Sequence, residues 1–326
     1  MTRTPVLIDT DPGIDDALAL VFAFAVRSWQ VVAVTTVAGN VPVETGTSNL
    51  ARVLGAVRPD EGPRVGVGAV GPRARPLVTA MRVHGPDGLG GVSTLRDAGA
   101  NLSFPEASLD RHPGGAADLI VACARRWPGD LVIVALGPLT NLAEAVDRDP
   151  EAVRRVARVV VMGGAVAVGG NVTAAAEYNV FVDPESAAQV LAADLPLTLV
   201  PLDVTHEVVW PGAAVERFSE ARPAAARFAY HVAAAALTLG AGHGEPALVL
   251  HDPLAVGVAL DPSLVETETF PVAVECAGVL TRGVTVVDRR SPIRRREGWP
   301  GCRVALRVDA ARFLRLFEEG LWAGSA

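Results

Sequence analysis

The 326-residue sequence contains no lysine, so all 29 of its basic residues are arginine. That excludes any mechanism needing a lysine amine, such as a Schiff base or a P-loop. Cysteine is almost as scarce. Cys123, Cys276 and Cys302 are odd in number, far apart and without a Cys-x-x-Cys pair. This suits a reducing compartment better than a disulfide or zinc framework, and all three are expected in the core. No apolar run approaches the roughly 18 residues of a membrane span, and "MTRTPVLID" has no apolar stretch before its first acid. A cytoplasmic location and no membrane partner are therefore expected. There is no surplus of positive charge either: net charge is −7 and the isoelectric point about 5.4. A phosphate backbone needs the opposite sign, which excludes nucleic acid and leaves a small molecule as the ligand.

With half its residues hydrophobic and one-fifth charged, the chain can bury a large core. No polar or charged linker divides it, so a single domain spanning 1–326 is expected. Apolar β-branched runs at 5–8, 31–37, 130–136, 158–162 and 197–202 alternate with amphipathic segments at 15–27, 44–57, 115–127, 139–147 and 184–193. That alternation predicts an α/β fold, a mostly parallel open twisted sheet with helices on both faces and a Rossmann-like core. "PVAVECAG", "GVTVVDRR" and "RVALRV" follow without a helix between them and predict a small antiparallel C-terminal addition. The Gly-, Pro- and Arg-rich stretch 70–113 reads as long loops, often lids in a compact domain. In such sheets ligands sit beyond the carboxyl ends of the strands.

"VLIDTDPGIDDALAL" places Asp9, Asp11, Asp15 and Asp16 at one of those ends. Pro12 and Gly13 predict a tight turn, which brings Asp15 and Asp16 into the first turn of a helix. The helix dipole favours a carboxylate there by about 0.3–1 kcal/mol, too little for several acids desolvated together. A hard cation is the natural remedy, Ca²⁺ or Mg²⁺, and a bidentate carboxylate leans to Ca²⁺. An EF-hand is excluded: counted from Asp9, the glycine falls one position early and position twelve is Leu20. A haloacid dehalogenase-type phosphatase also begins with Asp-x-Asp after a strand. It would need a hydroxyl residue where Gly13 stands and a basic residue, normally lysine, further on.

"DTDPGIDDALAL" closely resembles the N-terminal signature of the inosine-uridine-preferring nucleoside hydrolase family. "TTVAGN", "HGPDGLGG", "ALGPLTNLA", "VVVMGGA", "GGNVTAAAEYNVFVDPESAA", "LDVTH", "HDPLAV" and "GVTVVDRR" continue the resemblance in the family's order, over about residues 5–310. The resemblance implies calcium-dependent hydrolysis of the N-glycosidic bond of ribonucleosides, giving free base and ribose. It implies Asp11, Asp16 (bidentate), the main-chain carbonyl of Leu136 and Asp252 as Ca²⁺ ligands. Asp11 would also be the base that takes a proton from the attacking water, and His251 would protonate the departing base. Asn171 and Glu177 are implied at the ribose 5′ hydroxyl, Asn179 and Asp15 at the 2′ and 3′ hydroxyls. Asn40 would stand beside the metal, Met162 under the sugar and His84 on a lid. Asp9 would orient its neighbours, and His206 would be structural. A homodimer or homotetramer is also implied.

In well-known members the segment before "HDP" presents Tyr and Arg to the nucleobase; here 228–250 offers only Tyr230, His231, His243 and Glu245. The preferred base is therefore open. A non-catalytic calcium and ribose binder is the other alternative, although such a binder has no need of His251.

Overall fold

Successive residues of single strands build two apolar layers. In Thr4–Thr10, Val6 and Ile8 join one hydrophobic cluster while Leu7 joins another; in Val132–Ala135, Val132 and Val134 part in the same way from Ile133 and Ala135. A strand buried on both faces needs no polar alternation, which is why these segments read as continuous apolar runs. The computed structural model describes residues 3–240, 246–290 and 301–323.

Among these residues the strands are β1 (Thr4–Thr10), β2 (Trp29–Thr36), β3 (Arg64–Val67), β4 (Asp110–Arg111), β5 (Val132–Ala135) and β6 (Arg158–Met162). They continue with β7 (Leu197–Val200), β8 (Val209–Pro211), β9 (Ala247–Val249), β10 (Val265–Val274), β11 (Thr285–Val287) and β12 (Gly301–Val308). Ten of them form one sheet in the order β11-β10-β12-β7-β6-β5-β1-β2-β3-β4, and β8 and β9 pair separately. From β4 to β12 every pairing is parallel; β10 runs antiparallel to both β12 and β11. The parallel core and the antiparallel C-terminal addition expected from the sequence are both present.

One layer holds the helices Ile14–Ala25, Val43–Val57, Ala224–Leu239, His251–Leu260 and Ala310–Ala323; the other holds Gly115–Arg126, Thr140–Arg148 and Pro184–Ala192. No described helix is long and apolar enough to cross a membrane. The stretch 70–113 is mostly irregular, with only the short helix Met81–His84, a 3₁₀ turn at Val92–Thr94 and the two residues of β4. Cys123 and Cys302 are buried, but Cys276 is partly exposed, a correction to the core placement expected of it. It follows β10 in the turn toward β11, outside both apolar layers.

Strand β1 lies between β2 and β5, where the strand order reverses. That is the switch point at which open α/β sheets form a crevice.

Candidate active site

The four acids that leave β1 enter four different surroundings. Asp9 is fully buried, and its Oδ1 accepts from Thr35 Oγ1 (2.5 Å) and Asn141 Nδ2 (2.7 Å), while Oδ2 has no partner among the described residues. Burial raises its pKa to about 7, against the pull of those two bonds. Asp11 accepts the Asn40 backbone N–H on Oδ2 (2.7 Å), and its Oδ1 is buried without a partner among the described residues. Burial first, then the Asp16 charge, holds Asp11 well above the usual carboxylate range.

Asp16 receives four protein donors. The Thr10 hydroxyl and the Asp11 N–H (3.2 Å) reach Oδ1; the Gly13 N–H (3.0 Å) and Asn40 Nδ2 (3.0 Å) reach Oδ2. The Gly13 bond closes the first turn of the helix from the inside, so Asp16 fixes the loop as well as facing the site. Asp15 has one buried oxygen without a partner among the described residues, and desolvation raises its pKa to about 6 although His84 pulls it down.

Asp252 reaches these acids from the first turn of His251–Leu260. Oxygens of Asp15, Asp16 and Asp252 lie within 4.8 Å of one another. Burial, then the charges of Asp15, Asp16 and Asp11, keeps Asp252 well above its ordinary pKa. Three carboxylates this close cannot all ionise without a cation. The all-oxygen donor set, together with unpartnered buried oxygens on Asp11 and Asp15, fits a hard divalent ion.

The opposite wall comes from β5 and β6. Asn179 Nδ2 donates to the Leu136 carbonyl (2.6 Å), the Met162 carbonyl (3.3 Å) and Met162 Sδ (3.4 Å). Glu177 is buried and caps the short helix Tyr178–Val182: Oε1 accepts Asn179 N–H (2.8 Å), and Oε2 accepts Gly164 N–H (2.9 Å) and Val180 N–H (3.1 Å). Burial raises its pKa. Asn171 is exposed, and its Oδ1 accepts the Tyr178 N–H (2.9 Å), which makes it a turn former as it stands.

His84 Nδ1 accepts the Ile14 N–H (3.1 Å) and lies 4.0 Å from Asp15 Oδ1. The loop after it is held by Asp87, which accepts from the N–H groups of Leu89 (3.0 Å), Gly91 (2.9 Å) and Ser93 (3.1 Å). Gly85, Gly88, Gly90 and Gly91 all have positive φ there, a path closed to most side chains. His251 Nδ1 is 2.7 Å from Thr205 Oγ1, and its ring centroid is 5.7 Å from that of His206. Burial, then the neighbouring His206 and His84, holds His251 down at about 3, so the ring is neutral at neutral pH.

Of the residues named before "HDP", Tyr230 reaches Glu216 (3.4 Å) and the His231 ring packs against Phe104 (5.7 Å). His243 and Glu245 lie outside the described residues. Thr35, Asn141 and Thr205 were not singled out from the sequence. Asn141 and Thr205 sit inside "ALGPLTNLA" and "LDVTH", but a buried hydroxyl or amide that serves another side chain has no spacing signature of its own.

The profile of the family described as "Inosine-uridine preferring nucleoside hydrolase" matches residues 6–315. The chain belongs to this family. Among its relatives, the pyrimidine-specific ribonucleoside hydrolase RihA of Salmonella typhi is 36% identical over 326 residues, 97% of this chain and 98% of that one. A solved plant nucleoside hydrolase superposes with a TM-score of 0.86 at 34% identity, covering 98% of this chain and 99% of its own. The purine-preferring ribonucleoside hydrolase from Gardnerella vaginalis superposes at 0.87 with 28% identity, covering 98% of each chain. The chain is thus a ribonucleoside hydrolase by family, and the crevice at the β1–β5 switch point is where its nucleoside hydrolase signature converges.

Proposed function

We propose that this nucleoside hydrolase cleaves the N-glycosidic bond of ribonucleosides with a resident Ca²⁺. The observation that carries this reading is the meeting of Asp15, Asp16 and Asp252 from distant parts of the sequence, with Asp16 and Asp252 buried and Asp15 partly so. Asp16 and Asp252 would hold the ion, with Asp11 and the Leu136 carbonyl completing the protein side, and Asp15 beside it for the sugar diol. When bound, the ion would orient water and the diol and make that water more acidic.

Asp11 is the base. Its Oδ1 has no partner among the described residues and is free to take a proton from the water that adds to the anomeric carbon. The bonding pair of the N-glycosidic bond leaves with the base, and over the whole reaction the water's proton ends on that base. Positive charge grows on the ribose meanwhile, and the fixed acids favour it because they are placed in advance. His251, neutral and partly buried, presents its ring to the departing base. Asn179 and Glu177, both buried, bind ribose hydroxyls, with Asn171 at the rim. Asn40 holds Asp11 and Asp16 in register through its backbone and side-chain amides.

The test is elemental analysis of the purified protein, followed by chelation and reconstitution. One equivalent of calcium, loss of reducing-sugar release from a nucleoside panel on chelation, and recovery with Ca²⁺ are expected. Full activity in chelator, or activity restored by Mg²⁺ or Mn²⁺ but never by Ca²⁺, would refute the calcium assignment.

A further inference from the structure

The Thr205 side chain is completely buried, and among the described residues its Oγ1 has a single hydrogen-bond partner, His251 Nδ1 at 2.7 Å. A hydroxyl facing an imidazole nitrogen can donate or accept, and the ring's tautomer follows from which it does. Were Nδ1 to carry the ring proton, Thr205 would have to accept it. Its own O–H would then be buried with no acceptor, since Oγ1 makes no second bond to the Pro201 carbonyl four residues back or to any other described residue. Native interiors avoid that arrangement. Thr205 therefore donates, Nδ1 accepts, and the ring proton sits on Nε2, which is bonded to no described protein group.

We infer that Thr205 is the positioning residue that fixes His251 as its Nε2–H tautomer and aims that N–H at the departing base. The inference rests on the reading of His251 given under the proposed function. Its supports are geometric and local. Thr205 belongs to the short helix Leu202–Thr205 directly after β7, so its backbone is set by the sheet. The His206 ring packs edge-on against His251 from the next position and restricts rotation of the imidazole. A donor locked in place before the substrate arrives contributes to the transition state without reorganising. Partners that orient metal-ligating histidines account for about 10- to 100-fold in activity, and an effect of that order is expected for a partner that orients His251.

Leaving-group dependence separates positioning from mere packing. A nucleoside's base leaves poorly without a hydrogen-bond donor, whereas nitrophenolate leaves unaided. Thr205→Val keeps the shape and removes the donor. It should lower kcat on uridine or inosine by about 10- to 100-fold, leave KM and p-nitrophenyl riboside turnover within about twofold, and be rescued by Thr205→Ser. His251→Ala is run beside it and should show the same selectivity more strongly.

Equal loss of both substrates in Thr205→Val, or no loss, with His251→Ala selective, would overturn the role of Thr205 alone. Equal loss of both substrates in His251→Ala would overturn the reading of His251 and this inference with it. Should Thr205→Val fail to fold, the unmutated protein still decides: ¹⁵N shifts of labelled histidine should show Nδ1 unprotonated and Nε2 protonated on His251, and the reverse assignment refutes the proposal.

Discussion

Gly39 approaches Asp11 so closely that a Cβ on Gly39 would lie 2.0 Å from Asp11 Oδ2 and 2.8 Å from its Cγ. From the other side, a Cβ on Gly137 would stand 2.6 Å from Oδ1. The Asp11 carboxylate is thus held in a slot whose walls are two bare backbones, one after β2 and one after β5. Gly39→Ala must push Asp11 aside or move Asn40, whose N–H holds Oδ2. A displacement near 1 Å costs about 100-fold where a base must meet a water in line. The expected outcome is a fall in kcat/KM of about 100-fold with an unchanged far-ultraviolet circular dichroism spectrum. Activity close to that of the unmutated enzyme would remove Asp11 from the role of base.

The acid cluster should make the metal-free protein respond to pH in the opposite sense from an ordinary salt-bridged fold. Asp9 and Asp15 titrate at about 7 and about 6 in the folded chain, against 3.8 for the unperturbed group, and Asp11 and Asp252 are also raised. The folded state therefore holds protons that the unfolded chain has released. Stability is greatest below about pH 4 as far as these groups are concerned, and is lost as pH rises from there through about 7. Each group contributes about 1.4 kcal/mol per pH unit in that window. Melting temperature in chelator should fall between pH 5 and pH 8, and added Ca²⁺ should raise it more at pH 8 than at pH 5. A melting temperature that climbs over the same range in chelator would contradict the buried cluster.

Strands with both faces buried were legible because their composition leaves no other reading, and the β1 acids because four carboxylates around a Pro-Gly turn are too many for a helix terminus. Strand β3 was not legible: its four residues, Arg64–Val67, lie among glycine and proline and owe their conformation to pairing with β2. Thr205 and Asn141 escaped for another reason. Each acts on a residue distant in sequence, 46 positions away for His251 and 132 for Asp9, and such pairs carry no local period. Asn171 matched a motif, yet its carbonyl oxygen is engaged by the Tyr178 backbone, which only the turn geometry reveals.

Tyr178 connects the short helix Tyr178–Val182 to the long 70–113 segment, its hydroxyl donating to the Val78 carbonyl at 2.8 Å. Tyr178→Phe removes that donor and little else. A single such bond contributes about 1 kcal/mol, enough to raise the population of the opened segment about fivefold. Amide exchange in residues 78–84 should quicken by about that factor while β1 and β5 keep their protection. Uniform quickening across the sheet would show that Tyr178 supports the fold as a whole.

The C-terminal helix Ala310–Ala323 closes the layer behind the site through Phe313, which is fully buried, edge-on to Phe22 (6.2 Å) and stacked on Phe317 (5.9 Å). Gly257, inside the helix that begins with His251 and Asp252, lies under the same ring, and a Cβ there would meet two Phe313 ring carbons at 2.6 Å. Alanine at a helix interior gains up to about 1 kcal/mol over glycine. Overpacking a ring that is braced on two sides costs about 1–3 kcal/mol. Gly257→Ala should therefore destabilise. Phe313→Ala opens a cavity and should cost about 3–5 kcal/mol. In the double variant the new methyl group occupies part of that cavity, so the two losses should add to less than their sum, with a coupling of about 0.5–3 kcal/mol in chemical denaturation. Strict additivity would mean that the helix carrying His251 and Asp252 is not held in place by Phe313.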